Sequence, residues 1–178
     1  AITTAHTTAR IPDGVGFAEA AAIPCAGLTA YEAVVRRLNV QPDHIVWMQG
    51  GAGGVGGFAV QMCANIGAAV ITTASERNHE YVKSLGASYA IDYANEDVVA
   101  RIMEITKGRG VDRVLAAVDE ATADQGIEVL AFRGGLATVA GLPQLAESTF
   151  DNARSVHRIA YGGAHTSSNR EAQVDLAL

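Results

Sequence analysis

Apolar and polar positions fall into two regimes along this chain. After residue 43, short β-branched or apolar runs alternate with amphipathic stretches in a fixed order of run, turn, helical stretch, glycine and next run. The runs predict strands at 44–49 (HIVWMQ), 69–74 (AVITTA), 88–92 (SYAID), 112–118 (DRVLAAV), 136–141 (LATVAG) and 156–161 (VHRIAY). Most lack strict polar alternation, the pattern of strands covered on both faces. Helices are predicted over 54–66, 77–85, 95–106 and 121–131. Gly67, Gly86 and Gly108 stand where left-handed C-caps would stand, and Asn95 with Asp97 supplies a cap and a first-turn carboxylate. This is the grammar of βαβ units.

The first 43 residues differ. Helical periodicity runs from Thr29 to Asn39, while the opening ten residues are rich in Thr and Ala and show no pattern. The expected organisation is a lead-in and helix over 1–43, a domain over 44–165, and a tail or the start of another helix over 166–178.

The stretch MQGGAGGVGGF (48–58) is too poor in bulk to pack a core. Within it, Gly51-Ala52-Gly53-Gly54-Val55-Gly56 reads GxGxxG between the first strand and the first helix of the repeat. In that context Gly51 permits a tight turn, Gly53 removes a side chain where a pyrophosphate would approach, and Gly56 lets helix and strand pack closely. The helix N-terminus offers free N–H groups and a partial positive charge to phosphates. Dinucleotide binding follows, against a glycine turn that only permits packing or holds another adenosine ligand. The fold expected is α/β, a doubly wound Rossmann fold with a mainly parallel six-stranded sheet.

The same glycines also spell GxxxGxG (Gly50, Gly54, Gly56), the loop of short-chain dehydrogenases. Those enzymes need a tyrosine with a lysine four residues later, and none of Tyr31, Tyr81, Tyr89, Tyr93 or Tyr161 has one. The second strand ends Thr72-Thr73-Ala74-Ser75, with Glu76 a step late and Arg77 beside it. A hydroxyl followed by arginine suits a 2′-phosphate better than the carboxylate that accepts from the 2′-OH of NAD. NADP is therefore favoured, with NAD and a merely solvated Arg77 left open. A methyltransferase would share the turn but usually has a carboxylate where Ser75 stands.

Composition narrows the setting. The 178 residues suit one domain, and 49% hydrophobic with 18% charged residues is ordinary for a globular protein. A net charge of −6 argues against a nucleic-acid or anionic-membrane partner. No apolar run approaches the ~20 residues that span a bilayer, and AITTAHTTAR is no signal peptide. Cys25 and Cys63 form no CxxC pair, so a reduced, cytoplasmic compartment is expected. His6, His44, His79, His157 and His165 form no catalytic motif; His157 and His165 flank the last strand.

Five segments carry a family resemblance: IPDGVGFAEAAAIPCAGLTAYEA (11–33), GAGGVGGFAVQ (51–61), SLGASYAIDY (84–93), TKGRGVDRVL (106–115) and AGLP (140–143). Together they resemble the medium-chain dehydrogenase/reductase family, nearest its quinone oxidoreductase and zinc-type alcohol dehydrogenase branches. The resemblance implies that Gly53, Gly54 and Val55 meet the pyrophosphate, that Ser75, Arg77 and Asn78 surround the adenosine ribose and its phosphate, and that Tyr93 lies toward adenine. It places Val118, Gly141 and Leu142 near ribose and nicotinamide, and Thr29 at the nicotinamide end. Where relatives often read Asp-Thr/Ser-Val-Gly-Gly, this chain has Ala116-Ala117-Val118-Asp119-Glu120.

In zinc-dependent relatives the cysteine matching Cys25 completes a site begun in another domain. The alternative is a small packed residue, and Cys63 reads as a buried spacer. The resemblance further implies a missing catalytic domain, a homodimer through the edge strand near 156–161, and a small-molecule substrate bound between domains. The expected parent is an NADP-preferring oxidoreductase acting on an alcohol, carbonyl or activated alkene, with this chain inactive alone. A non-catalytic nucleotide-binding regulatory or oligomerisation module is the alternative.

Overall fold

The computed structural model describes residues 8–160. A helical stretch over 17–37 leads in: α1 (Phe17–Ala22), a π-helical segment Ile23–Gly27, α2 (Leu28–Tyr31) and a second π-helical segment Glu32–Arg37. Six strands follow, β1 (Ile45–Met48), β2 (Ala69–Thr73), β3 (Tyr89–Ile91), β4 (Val111–Ala116), β5 (Leu130–Thr138) and β6 (Ser155–Arg158). Between them lie α3 (Gly54–Ile66), a 3₁₀ turn (Glu76–Asn78) running into α4 (His79–Ser84), α5 (Val98–Ile105), α6 (Glu120–Glu128) and α7 (Glu147–Asp151).

The strands form one sheet ordered β3-β2-β1-β4-β5-β6, and each of its pairings is parallel. Strand order reverses between β1 and β4, and in an open parallel sheet the crevice beyond the strands' C-terminal ends at that point is the ligand position.

Apolar strands are satisfied on both faces, as their unbroken runs require. Val46, Met48, Val70, Leu115 and Ala137 pack with Ala30, Val34, Ala59, Val60, Cys63 and Val82 from the lead-in helix, α3 and α4. Trp47, Ile71, Ile91, Val114 and Leu136 point the other way, onto Val98 and Ile102 of α5 and Ala123 of α6. Each large side chain so buried contributes about 1.5–3 kcal/mol, which makes the central strands the rigid base of the crevice.

Several element ends differ from the sequence expectation. Helicity in the lead-in starts at Phe17, well before Thr29, and ends at Arg37. Asp97 caps α5, accepting from the Ala100 N–H at 3.0 Å, whereas Asn95 lies in the preceding turn and donates to Asp92. The fourth helix stops at Glu128 rather than 131. Leu130 already pairs with Val111, and β5 then slips in register to bring Gly135 beside Arg113. That pairing is a tertiary contact invisible to local propensity. Strand β4 ends at Ala116 and β5 at Thr138, so Val118 and Gly141 lie in loops above the sheet. Gly67 closes α3 in the left-handed conformation at φ 97°, and Gly86 takes the same hand after α4. Among the described residues, no helix is long and apolar enough to cross a membrane.

Candidate functional site

The glycines between β1 and α3 divide by what their missing side chains allow. The tight turn is made at Gly50, whose φ of +63° is costly for other residues; the sequence expectation had given that task to Gly51. Gly51 is fixed by packing instead, since a Cβ there would lie 2.2 Å from the Thr72 hydroxyl. At Gly56 a Cβ would lie 2.2 Å from the Gly50 carbonyl oxygen, so this glycine seats α3 on the turn itself. Gly53 and Gly54 are different: both are exposed, and their added Cβ atoms would approach nothing closer than 3.2 and 3.4 Å. Packing within the chain constrains these two places far less than Gly51 and Gly56, and both open to the outside.

Two threonines hold the turn. Thr72 donates its hydroxyl to the Met48 carbonyl (2.5 Å), and Thr73 accepts from the Gly50 N–H through its hydroxyl (3.2 Å) and from the Gly51 N–H through its carbonyl (3.1 Å). Gly53 precedes α3 and donates back to the Gly50 carbonyl at 2.8 Å. Helix geometry then leaves the N–H groups of Gly54, Val55 and Gly56 without intrahelical partners, and among the described residues no side chain caps them. Thirteen residues of aligned peptide dipoles add positive character at the same point. The arrangement fits a phosphate-bearing group, with backbone donors present and side-chain bulk absent.

The end of β2 lies against this turn through Thr73. Two residues on, Ser75 begins the 3₁₀ turn and accepts from the Asn78 amide at 3.1 Å, while Arg77 is exposed and has no carboxylate partner among the described residues. Past β3, Asp92 is buried, held by Asn95 and the Ala94 N–H, and these bonds hold its carboxyl below the usual range. Tyr93 beside it is 61% exposed. On the other side of the crevice Val118 comes within 3.4 Å of a Cβ built on Gly50.

Gly141 packs on the first residue of α6. Its Cβ would stand 2.8 Å from the Glu120 nitrogen, so that glycine is explained by packing. Leu142 next to it is half exposed. Ala26 lies 3.4 Å from a Cβ built on Gly54, which brings the lead-in helix, with half-buried Thr29 one turn further on, up to the glycine turn.

A family described as zinc-binding dehydrogenases matches residues 54–177. The chain belongs to the medium-chain dehydrogenase/reductase family. It is 40% identical over 96 residues to a zinc-type alcohol dehydrogenase-like protein of Schizosaccharomyces pombe, covering 54% of this chain and 28% of that one. It is 33% identical over 144 residues to alcohol dehydrogenase 1 of Caenorhabditis elegans, covering 80% of this chain and 41% of that one. Among solved structures, a mycobacterial protein complexed with NADPH superposes with a TM-score of 0.83 at 28% identity, over 97% of this chain and 55% of the other. The chain therefore spans about half or less of these relatives' lengths.

In this medium-chain dehydrogenase/reductase chain, Cys25 is exposed on the first π-helical segment. Among the described residues, no group of three or more His, Cys, Asp and Glu could hold a metal ion. Cys63 is fully buried on α3, and burial pushes its thiol up to about 12. His157 lies on β6, its imidazole held below the ordinary value by burial and then by Arg37 and Arg113. His6 and His165 lie outside the described residues, as does the 166–178 tail. The sequence placed Thr72 and Thr73 only at the end of the second strand and gave them no role; their one local signal is two hydroxyls ending an otherwise apolar strand that is buried beyond its first residue.

Proposed function

We propose that this chain is the NADP(H)-binding portion of a medium-chain oxidoreductase that moves hydride between nicotinamide and an alcohol, carbonyl or activated alkene. The uncapped amides of Gly54, Val55 and Gly56, opening beside side-chain-free Gly53 at the point where strand order reverses, carry this reading. Gly53, Gly54 and Val55 hold the pyrophosphate. Ser75, Arg77 and Asn78 take the adenosine ribose and its 2′-phosphate, with Tyr93 toward adenine. Val118, Gly141, Leu142 and Thr29 border the nicotinamide half. The cofactor, when bound, supplies the hydride; the chain binds and orients it.

Substrate-facing groups belong to chain outside these residues, so the 178 residues alone give no steady-state turnover. Cys25 serves zinc only with ligands from that outside part, and β6, an edge strand among the described residues, is where a second copy would pair. Titration with NADPH and separately NADH, followed by nicotinamide fluorescence and thermal shift, tests the assignment. Saturable binding with NADPH preferred supports it. Preference for NADH overturns the 2′-phosphate assignment, and binding of neither overturns the cofactor reading.

A further inference from the structure

Gln49 occupies the last position before the glycine turn, and it is an unusual residue to bury there. It is 1% exposed, among apolar strand ends. Its backbone N–H donates to Leu115 of β4 at 3.1 Å, and its side-chain Nε2 donates to the Thr122 carbonyl in the first turn of α6 at 2.6 Å. Its Oε1 is buried with no partner among the described residues. A side chain kept only to fill this volume would be apolar, because burying an amide with its acceptor unmet is unfavourable. The one bond it does make therefore needs a reason.

Helix α6 supplies it. The loop after β4, with Val118, enters α6 through Asp119, which caps the Thr122 N–H at 2.8 Å. The loop after β5 rests on the same helix, with Gly141 against Glu120 and the Gln144 N–H donating to Asp124 at 2.6 Å. Both loops on the far side of the crevice thus take their position from α6. Gln49 ties the first turn of α6 to the residue that starts the glycine turn.

We propose that Gln49 is a positioning residue: it sets α6, and through it Val118 and Gly141–Leu142, at a fixed separation from the pyrophosphate-binding amides. This rests on the cofactor reading given above. The residue itself touches no cofactor and acts through α6. Removing its donor lets α6 shift away from the turn, while the turn, held separately by Thr72 and Thr73, keeps its shape.

Comparison of a whole cofactor with its adenosine half tests the inference. In the full 178-residue chain, wild type, Gln49→Met and Gln49→Leu are titrated with NADPH and with 2′,5′-ADP, which lacks the nicotinamide half. Both variants should bind NADPH about ten-fold more weakly while 2′,5′-ADP changes by less than about two-fold. Gly126→Ala approaches the same coupling from α6. Its Cβ would meet Leu136 at 2.7 Å and Val114 at 3.0 Å, pressing the helix off the sheet beside Gln49 Nε2, and it should give the same selective loss even if the Gln49 variants fail to fold. Equal losses for the two ligands, or no loss, overturn the positioning role and leave the cofactor reading intact. Wild-type chain that binds neither ligand overturns both.

Discussion

Helices α3 and α6 start in equivalent places, each just past the C-terminal end of one of the two strands where sheet order reverses, yet their first turns are finished in opposite ways. At α6, Asp119 accepts from the Thr122 N–H and the Thr122 hydroxyl side answers the Asp119 N–H at 3.1 Å, closing the helix with its own side chains. At α3, glycine precedes the helix and, among the described residues, no side chain caps it. An N-cap glycine is only about a few tenths of a kcal/mol poorer than a capping side chain, so the open start of α3 costs the fold little. One crevice wall is closed by its own side chains, and the other leaves its first amides open, where the proposed pyrophosphate would complete them.

The strongest way to break this contrast is to damage the open turn. Gly56→Ala drives a Cβ into the Gly50 carbonyl, and chemical denaturation should show a loss of about 3 kcal/mol. A loss below 1 kcal/mol would mean that the turn is softer than its contacts imply. Gly53→Asp makes α3 resemble α6 by installing a capping carboxylate. Thermal stability should hold or rise while NADPH affinity, read by fluorescence titration, falls about 100-fold, because an anion then occupies the phosphate position. Retained affinity would show that phosphate does not use these amides.

A smaller effect should follow Arg77→Ala. NADPH binding should weaken about ten-fold, NADH should be little changed, and the ratio of the two dissociation constants decides whether the guanidinium meets a 2′-phosphate. The smallest effect lies at the closed helix. Bonds to the Thr122 N–H and hydroxyl hold the Asp119 carboxyl below its ordinary value of 3.8. Its contribution is therefore fully present above that value and is lost as pH falls through the lower folded-state value. Asp119→Ala should be less stable than wild type at pH 7, with the difference vanishing in acid; a difference that persists at pH 2 would show that the cap acts through something other than its charge.

What could be read from the chain follows how local each feature is. The glycine turn and the six strands stood out because backbone freedom and two-sided burial leave marks within a few residues. Close packing was expected at Gly56 and is found there, whereas the turn expected at Gly51 is made at Gly50, and the contact of Gly51 with Thr72 exists only once β2 is packed beside it. The end of α6 was misplaced for the same cause: Leu130 and Ala131 are as compatible with helix as with strand until β4 lies beside them. Gln49 left almost no trace, because the partner that gives it meaning is 73 residues away. The five-residue helix α7 had no periodicity long enough to register.

The two cysteines differ in a way that reaches beyond the cofactor. Cys25 is open to reagent, while Cys63 is sealed between α3 and the sheet with its thiol held up to about 12. The folded chain therefore presents one thiol to an alkylating agent, and the second becomes reactive only when α3 lifts from the strands beneath it. Modification of Cys63 is a clock for that opening. Its rate, measured with and without nucleotide, reports whether a bound ligand holds α3 against the sheet.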